Sequence, residues 1–591
     1  MDIQKQRVGI DTDSFQKYKR VKGEKFLWEI SQTDIDQVLK ISNEHNISLA
    51  TANVLYSKGY RTKDQINSFL FVSKEKDVYD PILFKDSKIV LKRLLKAIDK
   101  KEKILIFGDY DVDGITSTSL LLISLLPLGA NINFYLPNRR KEGYGLSSKV
   151  VKKAYENKYD LIITVDNGIT AFQAADLASK LGIDLIITDH HRPLDKIPKA
   201  LGIIDSNQKD CCYPYKELAG VGTIFKIICM IYDEKGLILP DKIYELLMLG
   251  TVADVAPLTG ENRYWVRFGL NKINKKKSLA LSSLIQNSRL SKSSIDSRDI
   301  GFMIAPQINA LGRLDDPREA VEFLISSDKK IVEKIGLKLK RINEERKKLD
   351  RRIYLDIETA ILERRINLEK ENIIIAASPD WPAGVIGLVA GKLTQNYGKP
   401  SILFHMDRNG VLKGSCRSIP EFNIFDALNN CKDLLIQFGG HSFAAGLKLL
   451  KKNMPKLKVK LEELIKKEVD PKDLVPKLKV DAQLNISELN YSFLSEMEKL
   501  EPFGNQNEQP VFLLKDVTLQ GQPQILKERH VKSFIFSNGV IKPVIFFNRP
   551  ELFSFFNSLG DRSFDLVAYI SKNEWNNKIN IELQGLDVKL S

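Results

Sequence analysis

The sequence contains few cysteines and no long apolar run, and each absence argues against a class of protein. Its five cysteines are odd in number and include no Cys-x-x-Cys pair, which argues against a disulfide framework and fits a reducing cytoplasm. The longest apolar stretch, residues 119–126, ends at Pro127. It is too short to span a bilayer, so we expect a buried helix there and no membrane association. The N-terminus also lacks the apolar core of a signal peptide.

The chain is long and basic. Its 591 residues are too many for one hydrophobic core, so roughly three to five domains are expected. A hydrophobic content of 43% argues against disorder. The formal net charge is +15 and the isoelectric point is near 9.2, as suits a protein that binds a polyanion. This signal is only supportive, because lysine runs such as residues 275–277 are more often a solvated face.

Three aspartates lie at alternate positions directly after an apolar, strand-like run. The run is Lys103–Phe107, and the acids are Asp109, Asp111 and Asp113. So much negative charge in a short loop repels itself unless cations neutralise it. An Asp-x-Asp-x-Asp-Gly string also begins a calcium loop, but that loop needs a glutamate near its twelfth position, where Leu120 stands. Calcium binding is therefore disfavoured.

Further along the chain, more acids and two adjacent histidines follow apolar runs. These are Leu161–Val165 before Asp166, Leu185–Thr188 before Asp189-His190-His191, and Gly250–Ala253 before Asp254. Ligands of an open parallel α/β sheet bind beyond the carboxyl ends of its strands, so we expect these loops to converge. Carboxylates with one or two imidazoles and no clustered thiols suit manganese or magnesium better than zinc or copper. Two such ions favour phosphodiester hydrolysis.

This set of motifs resembles the DHH phosphoesterase superfamily, and in particular its RecJ exonucleases, which degrade single-stranded DNA from the 5′ end. The similarity extends from about Phe26 to Ser591. It implies a set of metal ligands, with Asp166 bridging two ions: Asp109, Asp111, Asp113, Asp166, His190 and Asp254.

The resemblance also implies catalytic roles for Asp166, His191 and His441. The two histidines would face the phosphate, although His191 could instead orient a ligand. Asp189 is ambiguous, since it could ligate a metal weakly or orient a histidine. Asp254 alone is more often a solvated carboxylate, and its role depends on the matching Gly-Thr-Val-Ala context.

The pattern of runs and turns predicts an α/β multidomain protein. We expect a parallel-sheet DHH domain, a long connecting helix, a second α/β DHH-associated domain and a C-terminal OB-type β-barrel. The predicted boundaries are 1–79 for an N-terminal helical region, 80–328 for the catalytic domain, 329–371 for the connecting helix, 372–469 for the substrate-binding domain and 470–591 for the OB domain. Apolar residues at helical spacing, from Ile335 to Ile361, predict the connecting helix.

The second domain has glycine-rich turns suited to binding phosphate. The most specific string is Gly439-Gly-His-Ser-Phe-Ala-Ala-Gly446, which resembles the DHH-associated substrate-binding domain. By the same resemblance, Ser415 and Arg417 hold a terminal 5′-phosphate. Further substrate contacts are implied for Arg139, Tyr144, Asn309, Arg313 and His441. Pro382 stands where many relatives carry histidine, so we assign no catalytic role there.

The C-terminal region contains short alternating runs rich in aromatic residues, which is typical of a small barrel of the OB type. Such barrels bind single strands by stacking bases on aromatic faces. We expect most of the aromatic residues here to be core, and so identify no stacking residue: Phe534, Phe536, Phe546, Phe547 and Trp575.

The predicted function is a single-stranded-DNA-specific 5′-to-3′ exonuclease that uses two-metal catalysis in DNA repair and recombination. Two divalent cations are expected, Mn²⁺ first and Mg²⁺ as the alternative. Expected partners are single-stranded DNA with a 5′-phosphate, a single-strand-binding protein and a RecQ-like helicase, and the chain is expected to be a monomer.

Two alternatives remain open. A DHH hydrolase of cyclic dinucleotides or short oligonucleotides would share the metal site, but would usually lack residues 470–591. A non-catalytic replication scaffold would have lost metal ligands, whereas all are present here.

Overall fold

The computed structural model describes residues 18–138, 142–143, 145–290, 292–575 and 578–591, without the side chains of 573–579. Arg139, Tyr144 and the side chain of Trp575 therefore lie outside the described residues. The chain forms two compact units. We call residues 67–346 and 500–508 the acidic-site unit, and residues 18–66, 347–499 and 509–591 the three-segment unit. Among the described helices, none is both long and apolar enough to cross a membrane.

The described chain begins at residue 18 with a β-hairpin and continues as helices, so residues 1–17 of the predicted N-terminal region lie outside the described residues. Its elements are β1 Tyr18–Lys22, β2 Leu27–Ser31, α1 Ile35–His45, α2 Leu49–Ser57, α3 Lys63–Leu70, α4 Lys74–Asp77 and α5 Ser87–Asp99. The side chains of Asp34 and Ser48 cap α1 and α2 by accepting bonds from backbone N–H groups of the first turn. The sequence predicts a mostly helical region and misses the hairpin, because β2 takes its second partner from a strand more than 400 residues away.

A five-stranded parallel sheet forms the centre of the acidic-site unit. The elements are β3 Lys103–Gly108, α6 Val112–Leu125, β4 Asn131–Tyr135, α7 Ser148–Glu156, β5 Leu161–Val165, α8 Phe172–Lys180, β6 Asp184–Thr188 and β7 Gly202–Ile204. The strand order is β4-β3-β5-β6-β7, with every pair parallel. The connection from β3 leads to β4 on one side of it, and the later strands β5, β6 and β7 are added on the other side. This change of direction places a ligand crevice at the carboxyl ends of β3 and β5.

Helices complete the acidic-site unit. They are α9 Gly220–Glu234, α10 Asp241–Ala253, α11 Gly260–Lys275, α12 Leu279–Ser288, α13 Ser297–Asp299, α14 Ala305–Leu314 and α15 Arg318–Ile325, with a π-helical turn at Ile300–Ile304. Helix α6 is buried over almost its whole length, its serines and threonines included, so the prediction of a buried helix behind the acidic loop is confirmed.

The predicted connecting helix is present as a single 34-residue helix, α16 Lys329–Leu362. A second α/β sheet follows, with elements β8 Ile374–Ser378, α17 Ile386–Tyr397, β9 Ser401–Met406, β10 Val411–Arg417, α18 Ile424–Asn430, β11 Gln437–His441, β12 Ala444–Leu450 and α19 Met454–Glu468. Its order is β11-β12-β10-β9-β8, and only the β8–β9 pair is parallel. This confirms a second α/β domain.

The C-terminal part is mostly strand. Its elements are β13 Lys477–Val480, β14 Ala482–Gln483, α20 Tyr491–Leu500, β15 Phe512–Leu519, β16 Gln524–Leu526, β17 His530–Ser537, β18 Val540–Phe546, α21 Leu552–Asn557, β19 Phe564–Trp575 and β20 Lys578–Leu590. Strand β13 pairs with β2, and the other seven strands form the order β14-β15-β19-β20-β18-β17-β16 with an additional β15–β17 pairing. Residues 500–508, grouped with this region from the sequence, fold with the acidic-site unit.

A single buried carboxylate joins the N-terminal hairpin to β20. Asp587 is fully buried and accepts hydrogen bonds from the backbone N–H of Phe26 at 3.0 Å and the indole N–H of Trp28 at 2.9 Å. It also accepts one from the guanidinium of Arg549 at 3.1 Å. Removal of a buried carboxylate leaves all its donors unpaired, which costs more than the bonds themselves contribute.

We expect Asp587→Ala to destabilise the three-segment unit by about 3 kcal/mol, because the Phe26 N–H, the buried indole of Trp28 and the buried guanidinium of Arg549 lose their partner. Urea unfolding followed by tryptophan fluorescence would measure the loss, since Trp28 lies beside the carboxylate. Asp561→Ala, at an exposed aspartate of the same unit, should leave the midpoint unchanged. An equal midpoint for both variants would contradict a central role for Asp587.

Candidate metal centre

Three neighbouring strands place their acids at one edge of the sheet, as the sequence predicts. Asp109 follows β3, Asp166 follows β5 and Asp189 follows β6. The strands are parallel and adjacent in the order β3-β5-β6, so their carboxyl ends lie side by side. Asp166 adopts a left-handed backbone conformation, with φ of 61°. Aspartate tolerates this conformation better than most residues.

The other two acids of the first loop lie at the start of α6. Asp111 is the N-cap residue, and its carboxylate accepts hydrogen bonds from the backbone N–H groups of Asp113 and Gly114. The buried carboxylate of Asp113 accepts bonds from Gly220 N–H at 2.7 Å and Val221 N–H at 2.8 Å. These two donors begin α9, where the helix dipole also favours a negative charge.

The sequence did not identify Gly220 as a site residue. A Cβ on Gly220 would lie 2.8 Å from Cβ of Asp166 and 3.0 Å from Oδ2 of Asp113. The glycine therefore lets α9 approach two of the predicted ligands at once. The Gly-Val-Gly string at residues 220–222 was the available signal, but a glycine pair at a helix start has many other uses.

His190 lies among the acids. Its Nε2 is 3.0 Å from Oδ1 of Asp166 and 3.8 Å from Oδ2 of Asp113, and its Nδ1 is 3.9 Å from Oδ2 of Asp254. Asp254 follows the last residue of α10. Both ring nitrogens of His190 therefore face carboxylates that the sequence predicts as metal ligands.

Asp189 orients the two histidines. Its carboxylate is buried and accepts hydrogen bonds from the backbone N–H groups of Ile169, His190 and His191. Oδ1 also lies 2.7 Å from Nδ1 of His191. Burial alone would raise the pKa of Asp189, but the hydrogen bond and charge of His191 hold it below its usual value. These four contacts favour an orienting role for Asp189 over weak metal ligation.

His191 is held by one ring nitrogen and has a side chain that is 40% exposed. Burial opposes its protonation, but the hydrogen bond and charge of Asp189 raise its pKa above the usual value. The ring is thus fixed in direction at the surface of the site, as a phosphate-facing group requires.

The possible ligand atoms form three overlapping groups, each with its atoms within 4.8 Å of one another. The groups are Asp109, Asp111 and Asp166; Asp113, His190 and Asp254; and Asp166, His190 and His191. Asp166 belongs to two groups, as a bridging ligand would. The structure thus brings all six predicted ligands together.

The aspartates of the site are buried or partly buried and repel one another. Burial, followed by the charges of neighbouring aspartates, raises the pKa of Asp113, Asp166 and Asp254 above the usual range. Burial, followed by the charge of His191, lowers the pKa of His190 to about 4. A neutral imidazole has a lone pair to offer, and crowded carboxylates need positive charge nearby.

These residues fit a pair of hard divalent cations, because the donors are carboxylate oxygens and imidazole nitrogens without thiolate. The group formed by Asp109, Asp111 and Asp166 would hold one cation, and the group formed by Asp113, His190 and Asp254 would hold the other. Such ions would supply Lewis-acid stabilisation of charge on the attacking and leaving oxygens of a phosphoryl centre.

Helix α14 supports the acidic loop. The side-chain oxygen of Asn309 accepts a bond from Val112 N–H at 3.2 Å, and a Cβ on Gly312 would lie 2.3 Å from the carbonyl oxygen of Tyr110. Arg313 is one helical turn after Asn309 on the same helix. The predicted substrate contacts of Asn309 and Arg313 stay predictions, but Asn309 has a structural contact that the sequence did not show.

The second predicted cluster lies on one face of the sheet in the three-segment unit. Arg417 on β10 is opposite Ala444 on β12, which is opposite His441 on β11. Residues directly opposite in antiparallel strands project to the same face, so Arg417 and His441 share a face roughly 10 Å apart. Ser415 lies on this face as well, 3.3 Å from a guanidinium nitrogen of Arg417.

Small residues leave this face open beside Arg417 and His441. Gly446 stands opposite both Ser415 and Gly439, and these glycines are exposed. Helix α17 approaches Ser415 closely, since a Cβ on Gly387 would lie 2.7 Å from its hydroxyl oxygen. The motif residues of the second domain thus form a shallow surface with an arginine and a histidine on it, suited to an extended anionic ligand.

The C-terminal sheet corrects one prediction. Most of the five rings named from the sequence were expected in the core, but only Phe546 is buried among the four whose side chains the structure describes, and Phe534, Phe536 and Phe547 are each more than a third exposed. Phe534 and Phe536 alternate with buried residues on β17, and Lys532 lies on the same face with its ammonium 5.9 Å from the ring centre of Phe534. The alternation of side chains along β17 places these rings on the exposed side of the sheet. The sequence pattern alone could not show which side of the strand is covered.

Three family profiles match the chain. They are the DHH family N-terminal domain at residues 103–251, the DHHA1 domain at 370–467 and the RecJ OB domain at 480–587. Fold and site thus define a phosphoesterase of the DHH type with an appended OB domain.

Individual proteins agree with these profiles. The single-stranded-DNA-specific exonuclease RecJ of Bacillus subtilis is 35% identical over 96% of this chain and 71% of that protein. Crystal structures of RecJ from Thermus thermophilus in complex with Mn²⁺ and with Mg²⁺ match with TM-scores of 0.79 and 0.71, at 26% and 25% identity. Both matches cover 95% of this chain, and 79% and 78% of the matched chains. The chain belongs to the RecJ family.

Gly220→Ala should weaken divalent-cation binding by about tenfold or more, because the new methyl group displaces Asp113 and Asp166. Millimolar MnCl₂ should raise the melting temperature of the unchanged protein, since a ligand that binds only the folded state stabilises it. The variant should lose most of this rise. Gly222→Ala, in the same helix, meets only the side chain of Leu218 at 3.3 Å and should keep it. Full cation stabilisation of Gly220→Ala would contradict the site described.

Proposed function

We propose that this chain is a single-stranded-DNA-specific exonuclease that hydrolyses phosphodiester bonds in DNA repair and recombination. Two observations support the proposal together: the chain belongs to a family whose relatives carry that activity in their names, and the predicted ligands lie together at one site. The second observation carries most weight, because a relative that had lost catalysis would have no reason to keep this costly group of acids.

Divalent cations complete the site, and we propose Mn²⁺ as the first choice with Mg²⁺ as the alternative. The mixed carboxylate and imidazole donors support manganese, which accepts nitrogen ligands more readily than magnesium does. Crystal structures of a RecJ with either ion are among the relatives in fold.

The side chains of the protein would then hold the cations, orient the histidines and contact the substrate. We assign His190 and the five aspartates to holding the cations, with Asp189 fixing the ring of His191 and the backbone of His190. His191, on the exposed side of the site, would donate to a non-bridging oxygen of the scissile phosphate and stabilise the charge that develops there. His441 is proposed as a further phosphate-facing group.

We further propose a 5′-to-3′ polarity set by recognition of a terminal phosphate. Ser415 and Arg417 share one face of β10, and a guanidinium binds a doubly charged phosphate through two parallel hydrogen bonds. Each cut exposes a new 5′-phosphate, so the product of one cycle carries the recognition group for the next. Arg139, Arg313 and Tyr144 are proposed as further contacts with the substrate.

The OB region would extend the surface that binds the single strand. The exposed rings of Phe534 and Phe536 next to Lys532 are suited to stacking bases beside a phosphate contact. A single-strand-binding protein and a RecQ-like helicase remain proposed partners, and a monomer the proposed state. A reducing cytoplasm is proposed as the location, since none of the five cysteines forms a disulfide.

A cyclic-dinucleotide phosphodiesterase is the weaker alternative, because the match to the RecJ OB domain covers residues that such an enzyme does not need.

Asp166→Asn should abolish hydrolysis of single-stranded DNA, by about 1,000-fold or more, because the proposed bridging carboxylate is lost. Asparagine keeps the left-handed backbone at this position. The pKa of Asp166 is raised in the folded state, so its ionised form destabilises the fold at neutral pH. The variant should therefore melt higher than the unchanged protein in a chelator.

End-labelled single strands with MnCl₂, together with thermal unfolding in EDTA, would measure both effects. Asp176→Asn, at an exposed aspartate of α8, is the matched control and should behave as the unchanged protein. Retained Mn²⁺-dependent hydrolysis by Asp166→Asn would refute the two-metal proposal.

Arg417→Ala should slow digestion of 5′-phosphorylated strands by about 10- to 100-fold and affect 5′-hydroxyl strands much less, because the charge-assisted bonds to the terminal phosphate are lost. Arg417→Lys should restore only part of the preference, since an ammonium cannot bind in the bidentate manner. Arg408→Ala changes an exposed arginine in the turn of the same hairpin and should have no such effect. An unchanged preference in Arg417→Ala would place the phosphate pocket elsewhere.

A further inference from the structure

The turn that carries Asp254 is strained. Helix α10 ends at Ala253, and the next turn closes with hydrogen bonds from Val255 N–H to the carbonyl of Val252 and from Ala256 N–H to the carbonyl of Thr251, each 3.2 Å long. This is a Schellman motif, in which the residue after the cap is left-handed and is usually glycine. Here that residue is Val255, with φ of 59°. A β-branched residue rarely adopts this conformation, and the surroundings must enforce it.

Residues 500–508 supply bonds to this strained turn. The side-chain N–H of Asn505 donates to the carbonyl oxygen of Val255 at 2.8 Å, and the backbone carbonyl of Asn505 accepts from Leu258 N–H at 2.9 Å. One residue therefore holds the turn at two points, three residues apart. A Cβ on Gly504 would lie 2.6 Å from the side chain of Leu258, so the backbone of the segment lies directly against the turn.

The segment that carries Asn505 is itself anchored. The carbonyl of Phe503 accepts a hydrogen bond from the hydroxyl of Ser297 at 2.6 Å, and the carbonyl of Leu500 accepts one from the guanidinium of Arg263 at 3.0 Å. Ser297 and Arg263 are both buried. The buried amide of Asn507 donates to the carbonyls of Leu500 and Pro502, each at 2.8 Å. Asn505 is thus presented from a fixed loop.

We propose that Asn505 is a positioning residue for the metal centre, which clamps the left-handed turn at Val255 and thereby fixes the carboxylate of Asp254. The inference rests on the proposed role of Asp254 as a metal ligand. Asp254 is the last residue before the strained position, so release of the turn changes the direction of its side chain. The group formed by Asp113, His190 and Asp254 then loses one of its three members, whereas the group formed by Asp109, Asp111 and Asp166 is unaffected.

Glycine at position 255 offers a direct test, because it adopts the left-handed conformation without strain. If the clamp only maintains a strained turn, then a turn without strain does not need the clamp. The proposal therefore predicts that Val255→Gly compensates for loss of the Asn505 side chain.

The experiment is a titration of the full chain with MnCl₂, with free Mn²⁺ measured by electron paramagnetic resonance. The unchanged protein should bind two ions. Asn505→Ala should bind one of them about 10- to 100-fold more weakly, which is the usual effect of removing a group that orients a ligand. The double variant Asn505→Ala/Val255→Gly should regain most of that affinity. Asn485→Ala, which removes an exposed capping asparagine, should titrate like the unchanged protein.

Other outcomes would overturn the proposal in distinguishable ways. Unchanged titration of Asn505→Ala, or a loss that Val255→Gly does not restore, would exclude the clamp. If Asn505→Ala cannot be purified in folded form, the double variant decides the question, since it should fold and bind both ions, and failure to do so would also exclude the clamp. Asp254→Ala is titrated in parallel: two ions of unchanged affinity in that variant would refute the ligand role of Asp254 itself, not only the role of Asn505.

Discussion

Mutual repulsion among buried aspartates is the constraint on which the rest of the acidic-site unit depends. Three parallel strands bring their acids to one edge, and three further acids arrive with α6 and α10. Each carboxylate raises the free energy of its neighbours, so the surrounding structure has to hold them there. It does so with backbone N–H donors at the starts of α6 and α9, and with glycines where a side chain would intrude. A Cβ on Gly114, for example, would lie 2.5 Å from the backbone of Asp109.

The two units present different chemistry. The acidic-site unit offers a dense, buried group of negative charge whose affinity is for small cations. The three-segment unit offers an open sheet face with Arg417 and His441, and exposed rings on β17, which are features that suit a long, flexible polyanion. The excess of basic residues in the chain is consistent with that second role. We therefore assign cation binding to the acidic-site unit alone, whereas the proposed contacts with the nucleic acid are divided between the two units.

Local patterns predicted much of this arrangement. Apolar runs ending in acids identified β3, β5 and β6 and most of the metal centre, because a parallel sheet places equivalent strand ends together. The helical spacing of apolar residues predicted α16. What the sequence could not show depends on contacts between distant residues. The hairpin of β1 and β2 needs β13 and Asp587, the bonds to Asp113 come from α9, and the exposed faces of Phe534 and Phe536 depend on which side of the sheet is covered. Asn505 is the extreme case, since its partner Val255 is 250 residues away.

The position of residues 500–508 in the chain has a consequence for biosynthesis. The rest of the acidic-site unit is one continuous stretch, 67–346, and its sheet and acids can assemble as soon as that stretch has left the ribosome. The loop that contacts the Asp254 turn is translated more than 150 residues later, after the whole DHHA1 domain. Under the proposed role of Asn505, a nascent chain lacks the bonds that fix the Asp254 turn until residues 500–508 have been made. In a protein that degrades nucleic acid, this order would delay full activity until the DHHA1 domain has also been made.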